Sequence, residues 1–290
     1  MSDAYFARAA LSQSGAKTLR VSPQQYAHER EHPKPPTPAM VFGSLVHALT
    51  LEPHTVRNVY STGPDLSGVC TKDGKPAANP SATTEGKALI ADWYAANPHL
   101  TVVSNADWAT AEAMASAALA CVHPRIGLTL ADLLALRDAR VEQEIYWQDA
   151  ETDSQLKAKV DAVVTLPSGE VLAIDLKTTT SALTSKELAS TAVNFGYVSQ
   201  ASHYLEALAQ RYVNEAAFWF LFVSKSAPHE CAWQTLDSEA LTQGAREMRA
   251  AKEIYAACQK SGVWPSAQAC GLLGDTISLP KWYKGASDGE

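Results

Sequence analysis

Charge is scarce in this chain and slightly acidic. Asp, Glu, Lys and Arg make up 19% of its 290 residues, and the net charge is −7. A generally basic surface, the footprint of a protein that coats nucleic acid, is therefore excluded, although a basic groove within an acidic exterior is not. Cysteine is sparse as well. Cys70, Cys121, Cys231, Cys258 and Cys270 are odd in number and widely scattered, which excludes a disulfide framework or a paired C-x-x-C zinc pattern and predicts reduced thiols. No apolar run approaches the ~20 residues of a membrane span, and MSDAYFARAA lacks the apolar core of a signal peptide. The expectation is a cytoplasmic protein with no membrane partner. Internal repeats and long low-complexity tracts are missing too.

What is present is a substantial apolar fraction, 46% of residues, enough for a sizeable core. The pattern predicts helices over 14–20 and from Ser22-Pro23, a proline-rich linker HPKPPTPAM, and an apolar, all-round buried helix ending before Pro53. A surface loop is predicted over 61–81, then helices near 84–96, 105–122 and 130–136. After these, EQEIYW, AAFWFLFVS and CAWQTLD read as strands, with one helix over 192–210 and another over 238–260. Strands in the middle with helices on either side predict an α/β fold, a central mixed β-sheet flanked by α-helices.

Two further strands, KAKVDAVVTL and EVLAIDLKTT, flank Pro167-Ser168-Gly169 and carry the chemistry. With Gly169 in the left-handed conformation of a three-residue loop, Asp161 falls opposite Asp175. Alternation puts Asp175 and Lys177 on one face. Opposed carboxylates destabilise a sheet unless something neutralises them, and Mg²⁺ bound by one or two carboxylates would do so. Such an ion polarises a phosphoryl oxygen and acidifies water, and Lys177 could orient or deprotonate that water or face transition-state charge. An isolated D-x-K is common by chance. The apolar run Leu172, Ala173, Ile174 and Leu176 strengthens this one, because it places the charges at the end of a buried strand.

Other residues can complete the site. His47 lies one turn after Gly43, although a lone histidine on an apolar helix is more often a hydrogen-bonded core residue. Glu142 and Glu144 share a strand face, and either could enter the cleft. Tyr197, Gln200 and Tyr204 form a helical stripe able to meet a water or a phosphate, with plain packing as the alternative for the tyrosines.

This order of histidine, glutamate, Asp161, Asp175-Leu176-Lys177, Gln200 and Tyr204 resembles the PD-(D/E)xK nuclease superfamily in its RecB-like branch. LSQSGAKTLRVSPQQY, FGSLVHALTLEP, VEQEIYW, IDLKTT, NFGYVSQASHY and GVWP resemble RecE-type exonucleases, those of the exonuclease VIII kind, over nearly the full length. The resemblance implies a single exonuclease domain over 1–290, with a helical arm at 1–55 and a catalytic core at about 100–265. It implies metal ligation by His47, Asp161, Asp175 and the Leu176 main-chain carbonyl, with Mg²⁺ replaceable by Mn²⁺. Lys177 would serve the water, Gln200 and Tyr204 would fill the motif after the hairpin, and Glu142 aligns better than Glu144 with the upstream acid. Lys17, Arg20, Arg30, Lys34, Lys159, Thr178 and Tyr197 become candidate DNA contacts. Lys159-Val160 departs from a frequent arginine-proline pair, and lysine there would grip phosphate less firmly than a bidentate arginine. Ser224 stands where glutamate is frequent.

The activity so implied is 5′→3′ digestion of one strand from double-stranded DNA ends, releasing mononucleotides and leaving 3′ tails. An annealing protein of RecT type would take up those tails, and the enzyme itself would be a ring-shaped homo-oligomer, a tetramer before a trimer. Two alternatives stand beside it. An AddB-like nuclease with an iron–sulfur cluster would need clustered cysteines, which Cys258 and Cys270 do not supply, so no such cluster is expected. A non-catalytic DNA-end scaffold would not need the intact Asp161, Asp175 and Lys177.

Overall fold

The computed structural model describes residues 3–71, 73–274 and 276–278. Helices α1 (Asp3–Ala7), α2 (Gln13–Val21), α3 (Pro23–Glu31) and α4 (Pro38–Leu51) come first. Their starts follow from side-chain chemistry. The Ser12, Ser22 and Thr37 hydroxyls accept from the Gly15, Gln25 and Met40 N–H groups, and Pro23 and Pro38 occupy first-turn positions where no donor is needed. A two-stranded parallel ladder joins β1 (Tyr60–Ser61) to β2 (Thr101–Val102), with α5 (Thr84–Ala96) between them in sequence. Next come α6 (Asn105–Ala120), capped by Ser104, and α7 (Leu130–Leu134), opened by a Thr129–Asp132 capping box.

The centre is a five-stranded sheet of β3 (Arg140–Gln148), β4 (Gln155–Thr165), β5 (Val171–Thr179), β6 (Ala216–Ser224) and β7 (Cys231–Gln234), neighbours in that order. Only β5 and β6 run parallel. A parallel pair needs a crossover, supplied by α8 (Ser185–Phe195) and α9 (Tyr197–Ala209). Helix α10 (Ser238–Ser261) follows the last strand.

The strands feed two cores, with the alternation on β4 reversing around Asp161. Val160, Val163, Ala173, Phe220 and Phe222 pack with Leu19 of α2, Ala201 and Leu208 of α9, and Met248 and Tyr255 of α10. Ala162, Val164, Ile174, Leu176 and Leu221 pack with Leu45 and Val46 of α4, Met114 of α6 and Leu130 of α7. Both sheet faces are therefore covered, as expected of strands that read as continuous apolar runs.

Two sequence expectations are corrected. The single helix over 192–210 is two, because Gly196 takes φ 75° and ends α8 before α9 begins. Helix α4 is not buried all round. Its second half is core, but Met40 is 60% exposed and residues 41–44 are half-buried, so its first half borders a cleft.

Candidate active site

The β4–β5 hairpin forms as its spacing predicts. Gly169 has φ 88°, the Leu166 N–H donates to the Glu170 carbonyl at 2.8 Å, and Thr165 pairs with Val171. Pairing runs to Ala162–Ile174 and then stops. One step further along that register, Asp161 stands opposite Asp175. On the other edge of β4, Val141 pairs with Ala162 and Gln143 with Val160, so the same register sets Glu142 opposite Asp161. Three carboxylates therefore lie in a row across β3, β4 and β5. Glu142 sits at φ 50°, a left-handed conformation costly for a non-glycine strand residue, and this local strain coincides with the row.

Where β4 leaves β5, the backbone of Leu176 loses its strand partner on that side. Its N–H donates to Asp161 Oδ2 at 2.9 Å, and its carbonyl accepts from His47 Nε2 at 2.6 Å. The carbonyl contact assigns the imidazole proton to Nε2, leaving Nδ1 facing Asp161 Oδ2 at 3.4 Å. Two lone-pair-bearing atoms facing each other in this way can hold a cation between them. The nearby ligand atoms of His47, Glu142 and Asp161 lie within 4.8 Å of one another. Burial and the Asp175 charge push the Asp161 carboxyl up to about 6, against the opposing pull of His47 and Lys177. The donor set, hard oxygens with one imidazole and an available carbonyl, fits Mg²⁺ or Mn²⁺.

Asp175 lies deeper, only 1% exposed. Its Oδ1 accepts from Gln200 Nε2 at 2.8 Å, and its Oδ2 meets the Lys177 ammonium at 2.5 Å as an ion pair outside hydrogen-bond alignment. Burial alone would lower the Lys177 pKa. The Asp175 and Asp161 carboxylates outweigh burial and hold the ammonium above the ordinary lysine range. Its Nζ lies 4.6 Å from the centre of the Tyr197 ring. Burial and the two aspartates hold the Tyr204 hydroxyl well above the ordinary tyrosine range. The stripe on α9 thus buttresses Asp175 from behind.

Met40, Gly43, Ser44, His47, Glu142, Lys159, Asp161, Leu176, Lys177, Thr178 and Tyr197 border one cleft of about 420 Å³. Of the two glutamates that sequence left open, Glu142 borders it, whereas Glu144 pairs with Lys159 across the strands and accepts from the Tyr146 hydroxyl.

The other candidate DNA contacts are dispersed. Lys159 is ion-paired with Glu142 inside the cleft, so its charge is already engaged. Arg20 binds Glu247 at 2.6 Å, tying α2 to α10, and Lys34 binds Glu29 at 3.0 Å. Lys17 donates to the Asn194 carbonyl at 3.3 Å beside the exposed Phe195 ring. Arg30 lines a separate cavity with Arg8 and Lys157, two residues the sequence reading did not single out. The signal for Lys157 was there: it alternates with Lys159 and Asp161 along β4, where apolar residues would be expected.

No curated protein matches the chain. A candidate exonuclease from Eubacterium rectale is similar in structure over 96% of each chain, with a TM-score of 0.53 at 14% sequence identity. That likeness shows a shared fold. A second solved structure, SSO0001, overlaps 41% of this chain and 54% of its own at 16% identity and a TM-score of 0.28, too little to carry an argument. The family model for a PDDEXK-like domain of unknown function (DUF3799) matches residues 12–274, and the chain therefore belongs to that PDDEXK-like family.

Proposed function

We propose that the protein is a divalent-metal-dependent nuclease, and more specifically a double-stranded DNA exonuclease. The observation that carries this reading is the row Glu142, Asp161 and Asp175 across three adjacent strands, closed by His47, the Leu176 carbonyl and Lys177. His47, Glu142, Asp161 and the Leu176 carbonyl would hold Mg²⁺ or Mn²⁺, with Asp175 joining as its contact with Lys177 loosens. When bound, the metal supplies Lewis-acid polarisation of the scissile phosphate and a more acidic water.

The residues do the rest. Lys177 places its ammonium beside the carboxylate row, where negative charge builds on a pentavalent phosphorus. A cation held by Asp161 and Asp175 would weaken the pull that keeps Lys177 charged, and burial would then favour the neutral amine, able to accept a proton from the attacking water. Gln200 holds Asp175 in orientation.

The RecE-type resemblance supports 5′→3′ digestion, release of mononucleotides and 3′ tails delivered to a RecT-type annealing partner in phage-style recombination. It equally supports a tetrameric ring threaded by duplex, in which basic groups face a channel and the acidic excess faces out. Linear duplex labelled separately at its 5′ and 3′ ends, incubated with Mg²⁺ or with EDTA, tests metal dependence, end requirement and direction together. Asp175→Ala is expected to abolish digestion while the circular dichroism spectrum is retained. Wild-type digestion by that variant, or unchanged digestion in EDTA, would overturn the reading.

A further inference from the structure

Away from the carboxylate row, the N-terminal segment closes a second cavity of about 410 Å³. Its wall includes Arg8, Arg30, Lys157 and the first turn of α2, where Ser12, Ser14 and Gly15 lie. Lys157 is unusual for a lysine, being only 6% exposed. It donates to the carbonyls of Tyr5 at 2.6 Å and Arg8 at 2.9 Å, with Phe6 at the limit of 3.5 Å. Those bonds hold the backbone that carries Arg8. The Arg8 guanidinium is further fixed 4.0 Å from the centre of the Tyr146 ring. None of Arg8, Arg30 and Lys157 has an ion-pair partner among the described residues. Burial, then Arg30 and Arg8, lower the Lys157 pKa, while Glu144 raises it. Glu29 also lines the cavity, but it is committed to Lys34 and Gln25.

Such a gathering of like charges is unfavourable until an anion joins it. Arginine forks match phosphate geometry, and a phosphomonoester brings about −1.5 to −2 charges at neutral pH. We propose that this cavity is a phosphate seat for the nucleic-acid strand, with Arg8 and Arg30 as its binding groups and Lys157 as the positioning residue. The proposal rests on the nuclease reading for its substrate, and the sheet supplies the link. Lys157 and Asp161 lie four residues apart on β4, about 13 Å at strand rise. A stacked strand advances ~3.4 Å per nucleotide, so a phosphate seated here lies a few nucleotides from the carboxylate row. The seat therefore lies within reach of a strand end being shortened at Asp161.

The test uses the full chain and the double variant R8A/R30A, both exposed positions, with R8K as the conservative control. First, inorganic phosphate is expected to raise the thermal midpoint of the wild type and not that of R8A/R30A, a result independent of any DNA. Second, duplexes ending in 5′-phosphate, 3′-phosphate or hydroxyls only are titrated in EDTA, where nothing is cut, and followed by anisotropy. About tenfold or greater preference for one phosphorylated end, erased in R8A/R30A and largely kept in R8K, identifies a terminal phosphate. Equal weakening on all three duplexes also supports the seat and identifies an internal diester as its occupant. Unchanged phosphate response and unchanged DNA affinity in R8A/R30A would overturn the proposal, even if Mg²⁺-dependent digestion stands. Conversely, phosphate protection lost in the variant, with no digestion by the wild type, would keep the seat and remove the nuclease.

Discussion

Gln200 shows how much of this site depends on residues that never touch substrate. Its amide donates to a carboxylate oxygen that is otherwise sealed from water, so removing it leaves Asp175 Oδ1 buried without a partner. Such a loss costs about 1–3 kcal/mol. Gln200→Ala is expected to lower the urea midpoint accordingly. It should also raise the Mg²⁺ concentration for half-maximal digestion roughly 10- to 100-fold, the usual effect of losing a group that orients a metal ligand. A variant that loses stability but keeps its Mg²⁺ dependence would make Gln200 a packing residue only. At this scale much was legible in the sequence. Asp161, Asp175 and Lys177 are related by strand alternation and one short turn, and Gln200 and Tyr204 by helical spacing. The Arg20–Glu247 pair was not legible, because the partners lie 227 residues apart and no local pattern announces such a pair.

Among the elements, the packing of α9 against α10 is open to disruption by a single change. Gly244 of α10 faces α9 so closely that an added Cβ would stand 2.2 Å from the Val198 carbonyl oxygen and 2.4 Å from Ser202 Oγ. Since Gln200 lies between those residues, helix separation reaches the site directly. Gly244→Ala is expected to destabilise by about 1–3 kcal/mol through overpacking. It should reduce digestion beyond what the folded fraction explains, as judged by thermal melts beside single-turnover rates. The control is Gly262→Ala at the end of α10. There nothing lies within 4 Å, and only the φ of 70° is strained, so stability alone should fall. Elements were legible wherever caps and periodicity agreed, as at Ser104 and Ser22-Pro23. The break at Gly196 was lost because apolar and aromatic residues continue through it and favoured one long helix. The exposed first half of α4 was lost for another reason: apolar residues that line a cleft read like core.

For the whole molecule, two groups, buried His203 on α9 and half-buried Asp161 on β4, make the metal-free protein respond to acid in opposite ways. His203 is fully buried between α9 and β4, its Nε2 bonded to the Lys157 carbonyl at 3.0 Å and its Nδ1 without a partner. Burial lowers its pKa from 6.5 to about 4. A depressed histidine contributes stability that is complete above pH 6.5 and is lost as pH falls toward 4, in total roughly 3 kcal/mol. Asp161, raised from 3.8 to about 6, has the reverse sign. Its contribution is complete below pH 3.8 and is lost as pH rises through 6, again roughly 3 kcal/mol. Over the shared window the two slopes oppose, so the wild type without metal should show an almost flat urea midpoint between pH 4 and 6. Asp161→Asn removes one arm, and its midpoint should fall steadily on acidification with the slope of about one proton, ~1.4 kcal/mol per pH unit. Saturating Mg²⁺ should impose a similar slope on the wild type, because a cation at the carboxylate row holds Asp161 ionised throughout the window. A flat profile for Asp161→Asn would mean that His203 titrates in the folded protein as it does in the open chain, and the buried role assigned to it would fall.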